Sequence, residues 1–125
     1  MDDKVLKALG DPVRYRLLTL MAEHAYCVGA LARQCELSES AVSQHLKILR
    51  EAGLVYGVKF GYYTHYRLSR ETLEAAVEEI AKPTRMERKP CDGPFRGCSE
   101  AAYVRCREAA SPVLDPDEKG ENDPC

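Results

Sequence analysis

The chain has 125 residues, 45% of them hydrophobic, which suits one small domain plus an appendage and leaves no room for a second full one. Its formal net charge of −2 argues against a uniformly basic nucleic-acid binder, yet the average hides a local bias: between residues 40 and 70, Lys47, Arg50, Lys59, Arg67 and Arg70 face the single acid Glu51, five minus one, a net +4. No stretch approaches transmembrane length and the opening MDDKVLK lacks a leader's apolar run, so a cytoplasmic protein with no membrane partner is expected, in which six cysteines point to metal or redox chemistry rather than a disulfide framework.

Residues 4–9 read as a short helix with Val5, Leu6 and Leu9 inward, stopped by Gly10. Asp11-Pro12 opens a second helix, with Asp11 as cap and Pro12 at the first helical position. Val13, Leu17, Leu18, Leu20 and Met21 make that helix strongly apolar and therefore central. A loop over residues 23–26 leads to a third helix starting near Cys27, with Leu31, Ala32 and Cys35 on one stripe. A tight polar turn follows, in which Leu37 points inward and Ser38 caps a fourth helix over about residues 39–52, closed by Gly53.

That fourth helix has two faces. Val42, Leu46 and Leu49 line one at helical spacing, and Ser40, Ser43, Gln44 and Lys47 decorate the other. Short, polar, largely uncharged side chains suit base edges in a DNA major groove. Operator DNA is therefore the expected partner, with Ser40, Ser43, Gln44 and Lys47 entering the groove. His45, in mid-helix, either joins them or turns inward to a hydrogen bond. Residues 54–68 switch to β-branched and aromatic runs around Gly61, the pattern of a hairpin, which directly after a recognition helix is a wing. Lys59 and Arg67 are its phosphate contacts. Tyr62, Tyr63 and Tyr66 alternate between solvent and core if the hairpin is regular. Ser69 caps a fifth helix whose Leu73, Val77 and Ile80 stripe is a candidate dimer face, and Pro83 is expected to end it.

The predicted fold is mostly α (α+β): a winged helix-turn-helix of about five helices plus a β-hairpin, with a cysteine-containing C-terminal extension. Residues 1–82 are assigned to DNA binding and dimerisation. Residues 83–125 form the extension, with one short helix capped by Ser99 and disorder from about residue 112.

The segments ALGDPVRYRLLTLM, CVGALARQCELSESAVSQHLKILREAGLV and KFGYYTHYRLS resemble, in order, the ArsR/SmtB family of bacterial winged-helix repressors. The resemblance spans roughly residues 5 to 80. It implies a homodimer that represses its operon and is released by an effector, and no enzyme. Three departures stand out. Many metal sensors of the family carry Cys-Val-Cys at the third helix, where this chain has Cys27-Val28-Gly29. The fifth-helix metal site of other members needs His and Asp, and ETLEAAVEEIAK has no His. Many members carry Arg after the wing-tip Gly, where this chain has Tyr62.

The remaining thiols then bear on the effector. Cys27, at a helix N-terminus whose free N–H groups favour negative charge, suits a metal ligand or simply packs under the helix. Cys35 reads as a small core residue. Cys91, Cys98 and Cys106 have no evident packing duty, and a three-thiolate site suits a thiophilic ion such as arsenite. Sulfurs sharing one ion lie roughly 4 Å apart, whereas a fully helical run from Cys98 to Cys106 separates their backbones by ~12 Å. Cys91 and Cys98 are thus the better pair, with Cys106, Cys27 or a partner-subunit residue as third ligand. Cys125 reads as a spectator. The effector expected is arsenite or another thiophilic metal ion, with no organic cofactor. A redox, persulfide or iron–sulfur sensor built on the same thiols is the alternative. A small thiol oxidoreductase is a distant third, because Cys-x-x-Cys is missing and the CDGPFR run at 91–96 has one residue too few for a phosphatase loop.

Overall fold

The computed structural model describes residues 2–89 and 97–109. The chain divides into two units, at Thr84 and Arg85. The first contains α1 (Asp3–Leu9), α2 (Pro12–Glu23), α3 (Val28–Cys35), α4 (Glu39–Glu51), β1 (Val55–Phe60), β2 (Tyr63–Leu68) and nearly all of α5 (Arg70–Arg85). The second contains α6 (Glu100–Ala109). The winged helix-turn-helix expected from the sequence is present.

Capping residues explain most of the boundaries. Asp2 caps α1 through Lys4, and Asp11 Oδ1 accepts from the amides of Val13 (2.8 Å) and Arg14 (3.1 Å) to start α2. Ser38 Oγ accepts from the Ala41 amide and starts α4. Gly53, at φ +75°, ends α4 with the Leu54 amide bonded back to the Leu49 carbonyl, the left-handed closure that glycine permits. The turn between α3 and α4 is less usual. Glu36 takes φ +55° there, and the Leu37 amide reaches the Ala32 carbonyl. A non-glycine residue in this region carries a steric penalty, which the packing of Leu37 on the core offsets.

Asp11 also supplies a pH signature. The Arg14 amide holds its carboxyl below the ordinary value, helped by the Val13 amide, the Arg14 guanidinium and His45, against a smaller opposing effect of burial. A depressed folded-state pKa stabilises the fold above the ordinary carboxylate range, and that contribution disappears as pH falls below about 4. Asp11→Ala should therefore lower Tm at pH 7, and the gap to wild type should close on acidification below that point. Thermal melts across pH 2.5–7 check this.

The core is formed by Leu17, Leu18, Leu31, Val42, Leu46, Leu49 and Leu54, all but fully buried, with Val5, Ala8, Met21, Ala32, Val55, Tyr66 and Ala76 around them. α4 lies at the centre of this packing, in contact with α1, α2, α3 and β1. The wing is a two-stranded antiparallel hairpin in which Phe60 pairs with Tyr63 across the Gly61-Tyr62 turn, with Gly61 at φ +62°. Tyr66 packs into the core, Arg50 lies over its ring at 5.8 Å, and Tyr62 at the tip is fully exposed.

Two expectations are corrected. Leu6 is 52% exposed rather than inward. A two-turn helix has one core-facing stripe, and Val5 with Ala8 occupies it, leaving Leu6 about 100° away. Pro83 does not end α5, which continues to Arg85. It falls in the last turn, where its missing N–H forfeits a single bond, and the Thr84 hydroxyl donates to the Ala81 carbonyl at 2.6 Å. On α5 only Ala76 is buried. Leu73 packs partly on the core, and Val77 and Ile80 stand exposed at 54% and 48%.

Candidate nucleic-acid interface and the cysteines

Ser40, Ser43, Gln44 and Lys47 recur at helical spacing on α4 and are all exposed, directly opposite the buried Val42, Leu46 and Leu49. The core packing of α4 makes this stripe rigid. The helix also carries Glu39 in its first turn, but a Cβ built on Gly29 would come within 2.9 Å of Glu39 Oε1. The Glu39 carboxylate therefore rests against the first turn of α3, where a helix N-terminus favours it. Gly29 is the position of the absent second thiol, and its lack of a side chain makes this approach possible.

His45 is half-buried on the flank of α4, and its Nδ1 lies 3.4 Å from Arg14 Nη1. The Nδ1 edge of its ring faces Arg14 of α2. Lys59 and Arg67 are both exposed, but the register pairs Lys59 with Thr64 and Arg67 with Tyr56. Facing residues share a side of a sheet and alternate along a strand. Lys59 and Arg67 therefore lie on opposite faces of the wing. Lys59 is near its tip. Arg67 is at its base, where with Tyr56, Arg70 and the end of α2 it lines an open cavity of about 310 Å³. Arg70 reaches the Ala22 carbonyl there, at 3.4 Å.

One connection to this region has no signal in the sequence patterns. The Tyr66 amide donates to the Tyr26 carbonyl at 3.0 Å, so the residue just before Cys27 forms a bridge to β2. It ties the start of α3 to the wing.

Of the described thiols, Cys27 and Cys35 belong to the first unit and Cys98 and Cys106 to the second. Cys27 is the cap residue of α3 and its side chain makes no capping bond. Cys35 closes the same eight-residue helix, on the order of 12 Å along the axis, and packs partly against the core. In the second unit Cys98 precedes Ser99, whose Oγ accepts from the Ala102 amide to start α6, and Cys106 lies within that helix. α6 begins at Glu100, so Cys98 and Cys106 share no helical turn. Cys91 and Cys125 lie outside the described residues. Among the described residues, no three His, Cys, Asp or Glu side chains converge as a metal site would require. No described helix is long and apolar enough to cross a membrane.

A capped helix-turn-helix, an exposed polar stripe on its second helix and a hairpin directly after it define a winged helix-turn-helix protein. A profile of bacterial regulatory proteins of the arsR family matches residues 11–56. The chain is 38% identical over 74 residues to the transcriptional activator HlyU of Vibrio cholerae, covering 59% of this chain and 68% of that protein. It is 33% identical over 87 residues to the arsenical resistance operon repressor of Escherichia coli K12, covering 69% and 74%. Its fold matches the homodimeric winged helix-turn-helix DNA-binding domain Mb0332 of Mycobacterium bovis with a TM-score of 0.56 at 25% identity, covering 71% of this chain and 84% of that one. The chain belongs to the arsR family of bacterial regulatory proteins, a family of regulators and not of enzymes.

Proposed function

We propose that the chain is a dimeric repressor that binds operator DNA through α4 and the wing, and leaves it when a thiophilic ion, arsenite foremost, binds cysteine thiolates. The rigid exposed stripe of Ser40, Ser43, Gln44 and Lys47 carries this reading. Uncharged donors and acceptors there suit base edges, and Lys47 suits a phosphate. Lys59, near the wing tip, suits a second phosphate, and Arg67 a third from the other face of the hairpin. Tyr62 offers a hydroxyl and a ring at the tip where a cation would add to the salt-sensitive grip.

Residues 1–82 bind DNA and dimerise in this reading, and residues 83–125 sense. The exposed Val77 and Ile80 of α5 form the dimer face. Burying them against a second copy removes apolar surface from water, and two-fold pairing presents two recognition helices to successive grooves. Similarity to an arsenical resistance operon repressor and the thiols of the extension support a thiophilic effector. Cys91 and Cys98 supply two thiolates, and Cys106, Cys27 or a partner-subunit residue the third. Such an ion releases the DNA only if it binds the DNA-free state more tightly than the bound one.

Fluorescence anisotropy with a duplex from upstream of the chain's own gene tests both halves. Wild type should bind at low salt and be released by arsenite. Cys91→Ser/Cys98→Ser should bind equally well and stay bound at the arsenite concentrations that release wild type. Release that survives the double replacement places the sensing thiols elsewhere, and a visible absorption band in anaerobically purified protein favours the iron–sulfur alternative.

A further inference from the structure

The side chain of Arg14 is only 14% exposed and makes polar contacts with several elements, and the proposed contacts with DNA do not use it. Its Nε donates to the Ala8 carbonyl at 2.8 Å and its Nη2 to the Lys7 carbonyl at 3.1 Å. Both carbonyls belong to the last turn of α1, where the Gly10 amide reaches only that of Lys7, at 3.3 Å. Nη1 lies 3.8 Å from Asp11 Oδ2, on the cap of α2, and 3.4 Å from His45 Nδ1 on α4. One guanidinium thus joins the end of α1, the start of α2 and the flank of the recognition helix.

The chemistry of this joint fixes more than position. A guanidinium has five N–H donors and no acceptor. In its hydrogen bond with His45, Nδ1 must therefore be the acceptor. A neutral ring accepting there carries its proton on Nε2. We propose that Arg14 is a positioning residue for operator recognition: it holds the His45 ring in the Nε2–H form and presents that N–H to a hydrogen-bond acceptor on the duplex.

This inference rests on the repressor reading above. His45 neighbours Gln44 of the exposed stripe and is itself half-buried, with Arg14 on the Nδ1 side of its ring. Holding α1 against α2 requires only the two carbonyls and Asp11. The arm to His45 crosses to a third helix and contributes nothing to those caps. A lysine at position 14 would keep the charge and lose the fork that serves several partners at once.

The test is a double-replacement cycle on operator affinity, measured with the duplex from upstream of the chain's own gene. Arg14→Met should weaken binding about tenfold when His45 is present, the scale of one hydrogen bond with a charged partner, and less than threefold in a His45→Ala background. Melting temperatures are read in parallel, because a purely structural Arg14 lowers Tm and affinity alike in both backgrounds, and that result overturns the assignment. If Arg14→Met fails to fold, Arg14→Lys replaces it, with the same expected dependence on His45. His45→Gln, whose amide places an N–H near the Nε2 position and has no tautomer to fix, should recover part of the affinity and remove the need for Arg14. A His45→Ala loss uniform across operator variants identifies the acceptor as a phosphate oxygen, and a loss confined to one base pair identifies it as a base. Wild-type protein indifferent to duplex DNA overturns the repressor reading together with this one. Wild-type binding with equal Arg14 losses in both backgrounds overturns this one alone.

Discussion

Ser43→Ala/Gln44→Ala should weaken binding to the cognate operator by about 30-fold or more and leave binding to unrelated duplex almost unchanged. Each good pair between a side chain and a base edge discriminates by about 1–3 kcal/mol, so losing two costs about 2–6 kcal/mol in combination, a factor of about 30 at the least. Ser43 and Gln44 are exposed, and alanine is the better helix former, so the fold should keep its melting temperature or gain slightly. Lys47, Lys59 and Arg67 remain in this variant. The slope of log affinity against log salt should then match that of wild type, because the number of neutralised phosphates is the same. Lys47→Ala should behave in the opposite way. It weakens all duplexes to a similar degree and lowers the slope by about 0.9. Anisotropy titrations at four salt concentrations, with operator and scrambled duplex, separate the two patterns. An alanine pair that loses specific and unspecific binding alike removes α4 as the element that reads sequence.

The parts of this interface that depend on local chemistry were legible from residues alone. Asp11-Pro12, Ser38, Ser69 and Ser99 stand at the helix starts because a short oxygen side chain accepts from amides two and three residues on. Gly53 and Gly61 mark left-handed positions that glycine takes without strain. The polar stripe of α4 follows from the 3.6-residue period. What the sequence hid was set at a distance or against local preference. The left-handed Glu36 has no glycine to announce it. Pro83 reads as a stop, yet the last turn of a helix tolerates it. The Tyr26 bridge to Tyr66 and the Arg14 joint span 40 and 31 residues, and no periodicity encodes a pairing between elements. The placement of Lys59 and Arg67 on opposite faces was available in principle. A two-residue turn at Gly61-Tyr62 fixes the register, and counting outward pairs Lys59 with Thr64 and Arg67 with Tyr56. The thiols were the least legible, because a chelating set is defined by distances between segments and spacing along the chain gives only upper bounds.

Leu46→Ala should be the most damaging single replacement in the chain. Leu46 is 1% exposed, on the inner face of the helix that touches α1, α2, α3 and β1. Removing a buried leucine side chain costs about 2–5 kcal/mol, from lost transfer energy plus the cavity left behind. Small domains are stable by about 5–15 kcal/mol, so the loss is a large part of the total. In urea melts the midpoint should fall with the slope unchanged, as expected when stability changes and the exposed surface does not. Operator affinity should fall too, but by a route unlike that of the Ser43→Ala/Gln44→Ala pair. DNA binds only the folded state, so excess operator pulls Leu46→Ala back to the folded form and raises its apparent melting temperature. The same mass action makes the melting temperature of a protein that folds as a dimer rise with protein concentration. The Ser43→Ala/Gln44→Ala pair, folded but blind to sequence, should show little stabilisation specific to operator at any concentration. A Leu46→Ala protein that melts like wild type yet fails to bind would mean that the inner face of α4 contacts DNA directly, contrary to the burial of Val42, Leu46 and Leu49 that orients α4.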